Sequence, residues 1–179
     1  MKAGDILRHR YRIEEKIGAG AQGETYRAAD VSNNIKVVLK VFDFSRSESW
    51  GGFERFEIEA GVLRGIDHPK IPNYVDQFES KLDGRTLFVL VQEYIAGTTI
   101  DQRVSTGKRE STAEIIRIAA DLLDIIEYLQ SISPIVIHRD INPKNVIIDD
   151  SGTTFLVDFG GVQDLGTNGP TVIGTPGYT

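Results

Sequence analysis

The sequence predicts an α+β chain in two parts, a strand-rich lobe over residues 1–95 and a helix-led lobe over 96–179. Two observations predict it. As far as Tyr94, most apolar residues come in short alternating runs broken by Gly, Asn and Asp, as half-buried strands require. After Ala96-Gly97 the apolar spacing switches to threes and fours, the period of a helix.

Taken in order, Tyr11–Gly18, Glu24–Asp30 and Ile35–Phe42 read as strands separated by Gly- and Asn-bearing turns. Gly51-Gly52 opens a helix over Phe53–Gly65 that stops near Asp67-His68-Pro69. Asn73–Ser80 and Thr86–Tyr94 flank Asp83-Gly84, a hairpin signal, and bring the expected sheet to five strands. In the second part Ser111-Thr112-Ala113-Glu114 is a capping-box pattern. It starts a long amphipathic helix whose expected core face is Ile115, Ala119, Leu122, Ile126 and Leu129, ended by Ser133-Pro134. Short apolar runs follow at Ile135–Ile137, Val146–Ile148 and Phe155–Val157.

Composition excludes several classes. Apolar residues at 40% and charged residues at 26% suit a soluble, globular chain of 179 residues. No apolar run approaches a membrane span, which points to a cytoplasmic chain with no membrane partner within it. The absence of cysteine excludes disulfides and thiolate metal sites. A net charge of −6 argues against a general nucleic-acid surface.

Four features carry chemistry. Gly18, Gly20 and Gly23 join two strands, where bare backbone can approach phosphates and aim N–H groups at them. The loop precedes a strand, which argues against a dinucleotide-binding fold. Lys40 lies in the apolar strand Ile35–Phe42, sharing a face with Lys36, Val38 and Phe42. Glu59 falls near the middle of the apolar side formed by Phe56, Ala60, Val62, Leu63 and Ile66, and Glu57 points nearly opposite. A buried carboxylate needs a cation or donors; Arg55 is the bland partner and Lys40 the functional one. Finally, His138-Arg139-Asp140-Ile141-Asn142-Pro143-Lys144-Asn145 and Asp158-Phe159-Gly160 supply oxygen-bearing side chains next to rigid strands. Asp140 can accept a proton from an attacking hydroxyl, and Asn145 with Asp158 can hold a hard cation such as Mg²⁺.

This ordered set is similar to the leading part of a eukaryotic-like (Hanks-type) Ser/Thr protein kinase domain in its bacterial style. The likeness runs from about Tyr11 to the last residue and includes Val37-Val38-Leu39-Lys40, His68-Pro69 and Gly174-Thr175-Pro176-Gly177-Tyr178. It implies a bilobal fold: a complete β-rich N-lobe and a partial helical C-lobe. It implies ATP with Mg²⁺ or Mn²⁺ as cofactors and a protein substrate. Ile17, the glycine loop, Thr25, Val38 and Lys40 would hold the nucleotide. Gln92 would stand at the gatekeeper place, with adenine on the backbone of the hinge Glu93-Tyr94-Ile95. Asp140 would be the base, assisted by Lys40 and Glu59, with Asn145 and Asp158 on the metal. Thr171 would be the phosphosite read by Arg139, and Thr175 would favour Ser and Thr substrates.

Three positions depart from the family pattern. Thr25 stands for valine, Val38 for alanine, and Asn142 for the lysine that neutralises the transferred phosphate. The family also continues past Thr179 with an Ala-Pro-Glu-like segment and several helices, so a fragment is expected. Asn142 and that end raise an alternative, a nucleotide-binding scaffold with little transferase activity. A small-molecule kinase of the aminoglycoside type shares the Asp–Asn–Asp logic but is disfavoured by Arg139, Phe159 and the Gly-Thr-Pro-Gly-Tyr run.

Overall fold

A computed structural model describes residues 1–20, 23–44 and 50–164. Contacts divide the chain into two compact units, Met1–Ala60 with Asn73–Tyr94, and Gly61–Pro72 with Ile95–Thr179.

Among the described residues, the first unit holds a six-stranded antiparallel sheet rather than five. Its strands are β1 (Ile6–Leu7), β2 (Tyr11–Gly20), β3 (Gly23–Asp30), β4 (Ile35–Asp43), β5 (Tyr74–Leu82) and β6 (Arg85–Glu93), in the order β1-β2-β3-β4-β6-β5. The unforeseen strand is β1, paired through Ile6↔Arg12 and Leu7↔Tyr11. Two residues are too few to show a period. Asp83 (φ 50°) and Gly84 (φ 75°) form the tight two-residue turn between β5 and β6, both in the left-handed region that a primed turn needs.

The sheet curls until its distant strands meet. Tyr11 of β2 stacks on Phe78 of β5 at 5.6 Å between centroids, and its hydroxyl donates to the Asp76 carboxylate at 3.1 Å. Inside the curl lies the core of Tyr26, Val37, Leu39, Val41, Val89 and Val91 with Tyr11 and Ile13. Helix α1 runs over Trp50–Gly65, three residues earlier than expected. Its Phe56 packs on Phe42 and Phe88, the aromatic side of the sheet away from the core.

In the second unit β7 (Thr98–Thr99) leads into α2 (Ile100–Ser105), which has its own capping box from Thr99 and Gln102. Helix α3 covers Thr112–Ser131, capped by Ser111 with Glu114. Two small sheets follow: β10 (Thr154–Leu156), β9 (Val146–Ile148) and β7 form one, β11 (Gln163–Asp164) and β8 (Val136–Ile137) the other.

The core face of α3 differs from expectation. Ile118, Ile125 and Leu129 are the buried residues, whereas Ile115 is 57% exposed and Ala119 is exposed too. The doublets Ile115-Ile116, Leu122-Leu123 and Ile125-Ile126 give the helix two adjoining apolar stripes, and periodicity alone does not choose between them. Packing chose the stripe tied down by polar contacts. Lys70 Nζ bridges Asp121 (3.0 Å) and Asp124 (2.8 Å) on α3, and Asp121 in turn accepts the Thr154 N–H of β10. No described helix is long and apolar enough to cross a membrane.

Candidate active site

Directly opposed residues of antiparallel strands share a face. Thr25 lies opposite both Gly18 and Lys40, Lys40 opposite Leu90, and Val38 opposite Gln92. The strand period then puts Thr25, Val38, Lys40 and Gln92 on one face, with the apolar core on the other. Glu59 of α1, one turn after Phe56, is 3% exposed, and its carboxylate pairs with the Lys40 ammonium. Glu57 is exposed and accepts from Gln77, and Arg55 turns back to the Gly51 carbonyl. Gln92 is buried, and its Oε1 has no hydrogen-bond partner among the described residues.

The glycines of the β2–β3 turn divide by cause. Gly23 has φ +127°, and a Cβ there would lie 2.2 Å from the Val41 carbonyl oxygen, so the fold itself requires glycine. A Cβ on Gly18 would meet only Thr25, at ordinary distance, and one on Gly20 would meet nothing within 4 Å. Packing does not account for glycine at those two positions. Ile17 beside them is 47% exposed. At the expected hinge, the Glu93 N–H donates to the Asn73 carbonyl at 2.9 Å. Ile95 is partly buried.

In the second unit two loops converge. The Val157 N–H donates to the Asn145 carbonyl at 2.9 Å, and His138 meets the Phe159 ring edge-on at 4.7 Å. Strands β8 and β11 pair just outside them. Gly161 closes the gap: a Cβ there would come within 3.1 Å of the Asp140 Cβ. Both oxygens of the Asp140 carboxylate accept amide N–H groups, Oδ1 from Asn142 Nδ2 and Oδ2 from Asn145 Nδ2, each at 2.9 Å. With its nitrogen so committed, Asn145 leaves Oδ1 as the remaining side-chain acceptor, and that oxygen accepts no hydrogen bond among the described residues. Asp158 has φ 65° and caps the following turn through the Gly160 N–H. Arg139 also has φ 65°. Arg8, His9, Asn34 and Asp83 in turns of the first unit share this conformation, so by itself it marks a tight loop. Thr171 and Thr175 lie outside the described residues.

Comparison with known families matches the protein kinase domain over residues 11–179. The chain belongs to the protein kinase domain family. It is 34% identical over 166 residues to the probable serine/threonine-protein kinase YbdM of Bacillus subtilis (strain 168), covering 92% of this chain and 62% of that one. It is also 34% identical to serine/threonine-protein kinase C of Synechocystis sp., covering 97% of this chain and 34% of that protein. For serine/threonine-protein kinase PknA of Nostoc sp. the identity is 34% and the shares are 97% and 33%. The chain therefore spans from about a third to three-fifths of the length of these three kinases.

Sequence reasoning missed Gly161 in this kinase loop pair. The doubled Gly160-Gly161 after Phe159 was its available signal, since a glycine beside a motif often marks close backbone approach. It also missed the direct hold of Asn142 on Asp140, which no pattern of letters reveals.

Proposed function

We propose that the chain transfers the γ-phosphoryl group of ATP to serine or threonine hydroxyls of protein substrates. The observation that carries the reading is the Asp140 carboxylate, fixed by two amides beside the Asp158 loop. A substrate hydroxyl oxygen attacks the γ-phosphorus and its proton passes to Asp140. The bond from the γ-phosphorus to the bridging oxygen breaks, and ADP leaves. Lys40, oriented by Glu59, binds the phosphates, and Gly18 and Gly20 let backbone N–H groups come near them.

The residues fit both cofactors. Gln92 Oε1 is a buried acceptor of the kind a purine amine satisfies, and it lies on the Lys40 face of the sheet. Asn145 Oδ1 and the Asp158 carboxylate form the hard oxygen set that would hold Mg²⁺, which takes its other ligands from phosphate and water. When bound, Mg²⁺ or Mn²⁺ neutralises charge on the phosphate oxygens. In the bilobal reading, residues 1–95 serve as the nucleotide-binding lobe. Arg139, without an ion pair among the described residues, would hold phosphate on Thr171.

The test is phosphate incorporation into a generic protein substrate from labelled ATP with Mg²⁺. Incorporation above an Asp140→Asn control supports the reading, and none above that control removes it. Nucleotide binding without turnover would instead favour the scaffold alternative that Asn142 suggests.

A further inference from the structure

The loop from Asp140 to Asn145 buries an amide in preference to a hydrocarbon. Ile141 is turned outward, 39% exposed, and the next residue, Asn142, is 7% exposed. Burying a polar side chain costs free energy unless its hydrogen bonds are made. The Asn142 amide makes them on both sides. Its Nδ2 donates to the Asp140 Oδ1 (2.9 Å) and to the Asp140 carbonyl (3.2 Å), and its Oδ1 accepts the Lys144 N–H at 2.9 Å. Chemistry fixes which end is which, because carboxylate and carbonyl oxygens accept and a backbone N–H donates.

Asn145 mirrors this arrangement. Its Nδ2 reaches the same carbonyl and the other carboxylate oxygen, both at 2.9 Å. Gly161 stands against the Asp140 Cβ and leaves that side chain little room to swing.

We propose that Asn142 is a positioning residue for phosphoryl transfer, fixing the plane of the Asp140 carboxylate in a loop that has no lysine at this place. The inference rests on Asp140 being the base. An ammonium on a flexible stem brings charge with little direction, whereas a short planar amide brings direction without charge. Orientation of a reacting group acts on the chemical step, so Asn142 controls kcat rather than nucleotide affinity.

Asn142→Asp removes the donor and sets a second carboxylate against Asp140. It keeps an oxygen for the Lys144 N–H, and hence the turn, but cannot donate to Asp140. Asn142→Ala removes both functions, and Asn142→Lys exchanges the directed amide for an undirected charge. The measurement is kcat and KM for ATP in the protein at its full natural length, with nucleotide binding and circular dichroism reporting folding. We expect N142D and N142A each to lose about 10- to 100-fold in kcat, the scale set by a misplaced reacting group. KM for ATP should stay within about twofold because binding is untouched, and N142K should remain below wild type in kcat because an ammonium does not restore the direction of the amide. Wild-type kcat in N142D beside a loss in N142A would overturn the inference by assigning Asn142 to the turn alone. A rise in KM in place of the kcat loss would overturn it too, as would N142K exceeding wild type about tenfold, which would mark the asparagine as a defect. A wild-type protein no more active than its D140N variant would remove the proposed function itself; an active wild type with any of the earlier results removes this inference alone.

Discussion

Gly23→Ala and Gly20→Ala are nearly adjacent changes in one turn with opposite expected consequences. At Gly23 the new Cβ would sit 2.2 Å from the Val41 carbonyl oxygen, well inside the 3.0 Å that such contacts respect. Strands β3 and β4 must part by close to an ångström at the Glu24↔Val41 pair. That displacement weakens one or two ladder bonds at about 0.5–1.5 kcal/mol each. The left-handed φ of +127° adds about 1–3 kcal/mol for a residue with a side chain. Together the loss is about 2–5 kcal/mol, a large share of the roughly 5–15 kcal/mol that holds a domain folded. At Gly20 nothing lies within 4 Å and φ is ordinary, so alanine should leave stability unchanged or raise it by up to about 1 kcal/mol. The cost of Gly20→Ala should appear in nucleotide binding instead, as a several-fold rise in the Kd for ATP, because phosphate and backbone can no longer approach as closely. Urea unfolding followed by circular dichroism measures the first effect, and titration with ATP-Mg²⁺ measures the second. If G23A unfolds within about 0.5 kcal/mol of wild type, the close approach of β3 to β4 is wrong. If G20A binds ATP normally, its missing side chain has nothing to do with phosphate.

Glu59→Ala should cost about 3–5 kcal/mol by leaving the Lys40 ammonium without the carboxylate, and Lys40→Met/Glu59→Leu should regain most of that stability while lacking transferase activity; a double-mutant coupling below about 0.5 kcal/mol would rule the pair out. The hydrogen bond from Arg10 holds the buried Asp30 carboxyl down at about 2, so its stabilising effect is complete above the ordinary carboxylate range and fades as pH falls through about 4 towards 2. Asp30→Asn should flatten that acid limb in urea midpoints taken against pH, and an unchanged limb would refute the assignment. Ser111→Ala, removing the side-chain cap of α3, should lower stability by about 1 kcal/mol in the same assay, and no change would mean the cap is not formed.

Legibility followed the reach of each signal along the chain. Strands β2 to β6 each run for eight residues or more, long enough to show alternation, and the Asp83-Gly84 turn announces itself by residue type. Glu59 could be found because a helix of sixteen residues fixes its angular position against Phe56 and Leu63. Strands β1, β7 and β11 are two residues each and exist only through their partners, so no window along the sequence contains them. Helix α2 was legible in principle, since Thr99 and Gln102 spell a capping box, but its six residues include no buried position to reinforce the signal. On α3 the doubled isoleucines and leucines left two stripes open, and the pull of Lys70 on Asp121 and Asp124 is tertiary information. Within the site, residue types pointed to Asp140, Asn145 and Asp158, but the left-handed backbone of Arg139 and Asp158 leaves no mark in the letters.

The seam between Tyr11 and Phe78 has a bearing on how the first unit assembles and breathes. Neighbouring strands are joined through short connections within β2-β3-β4 and again within β5-β6, so these hairpins can form early from nearby partners. Bringing Tyr11 onto Phe78 and Asp76 requires closing a far longer stretch of chain, which defers it to the end. A late closure of this kind is also an early opening: amide protons along the Arg8–Asp76 margin should exchange before those of Leu39 and Val89, which sit at the centre of the curl.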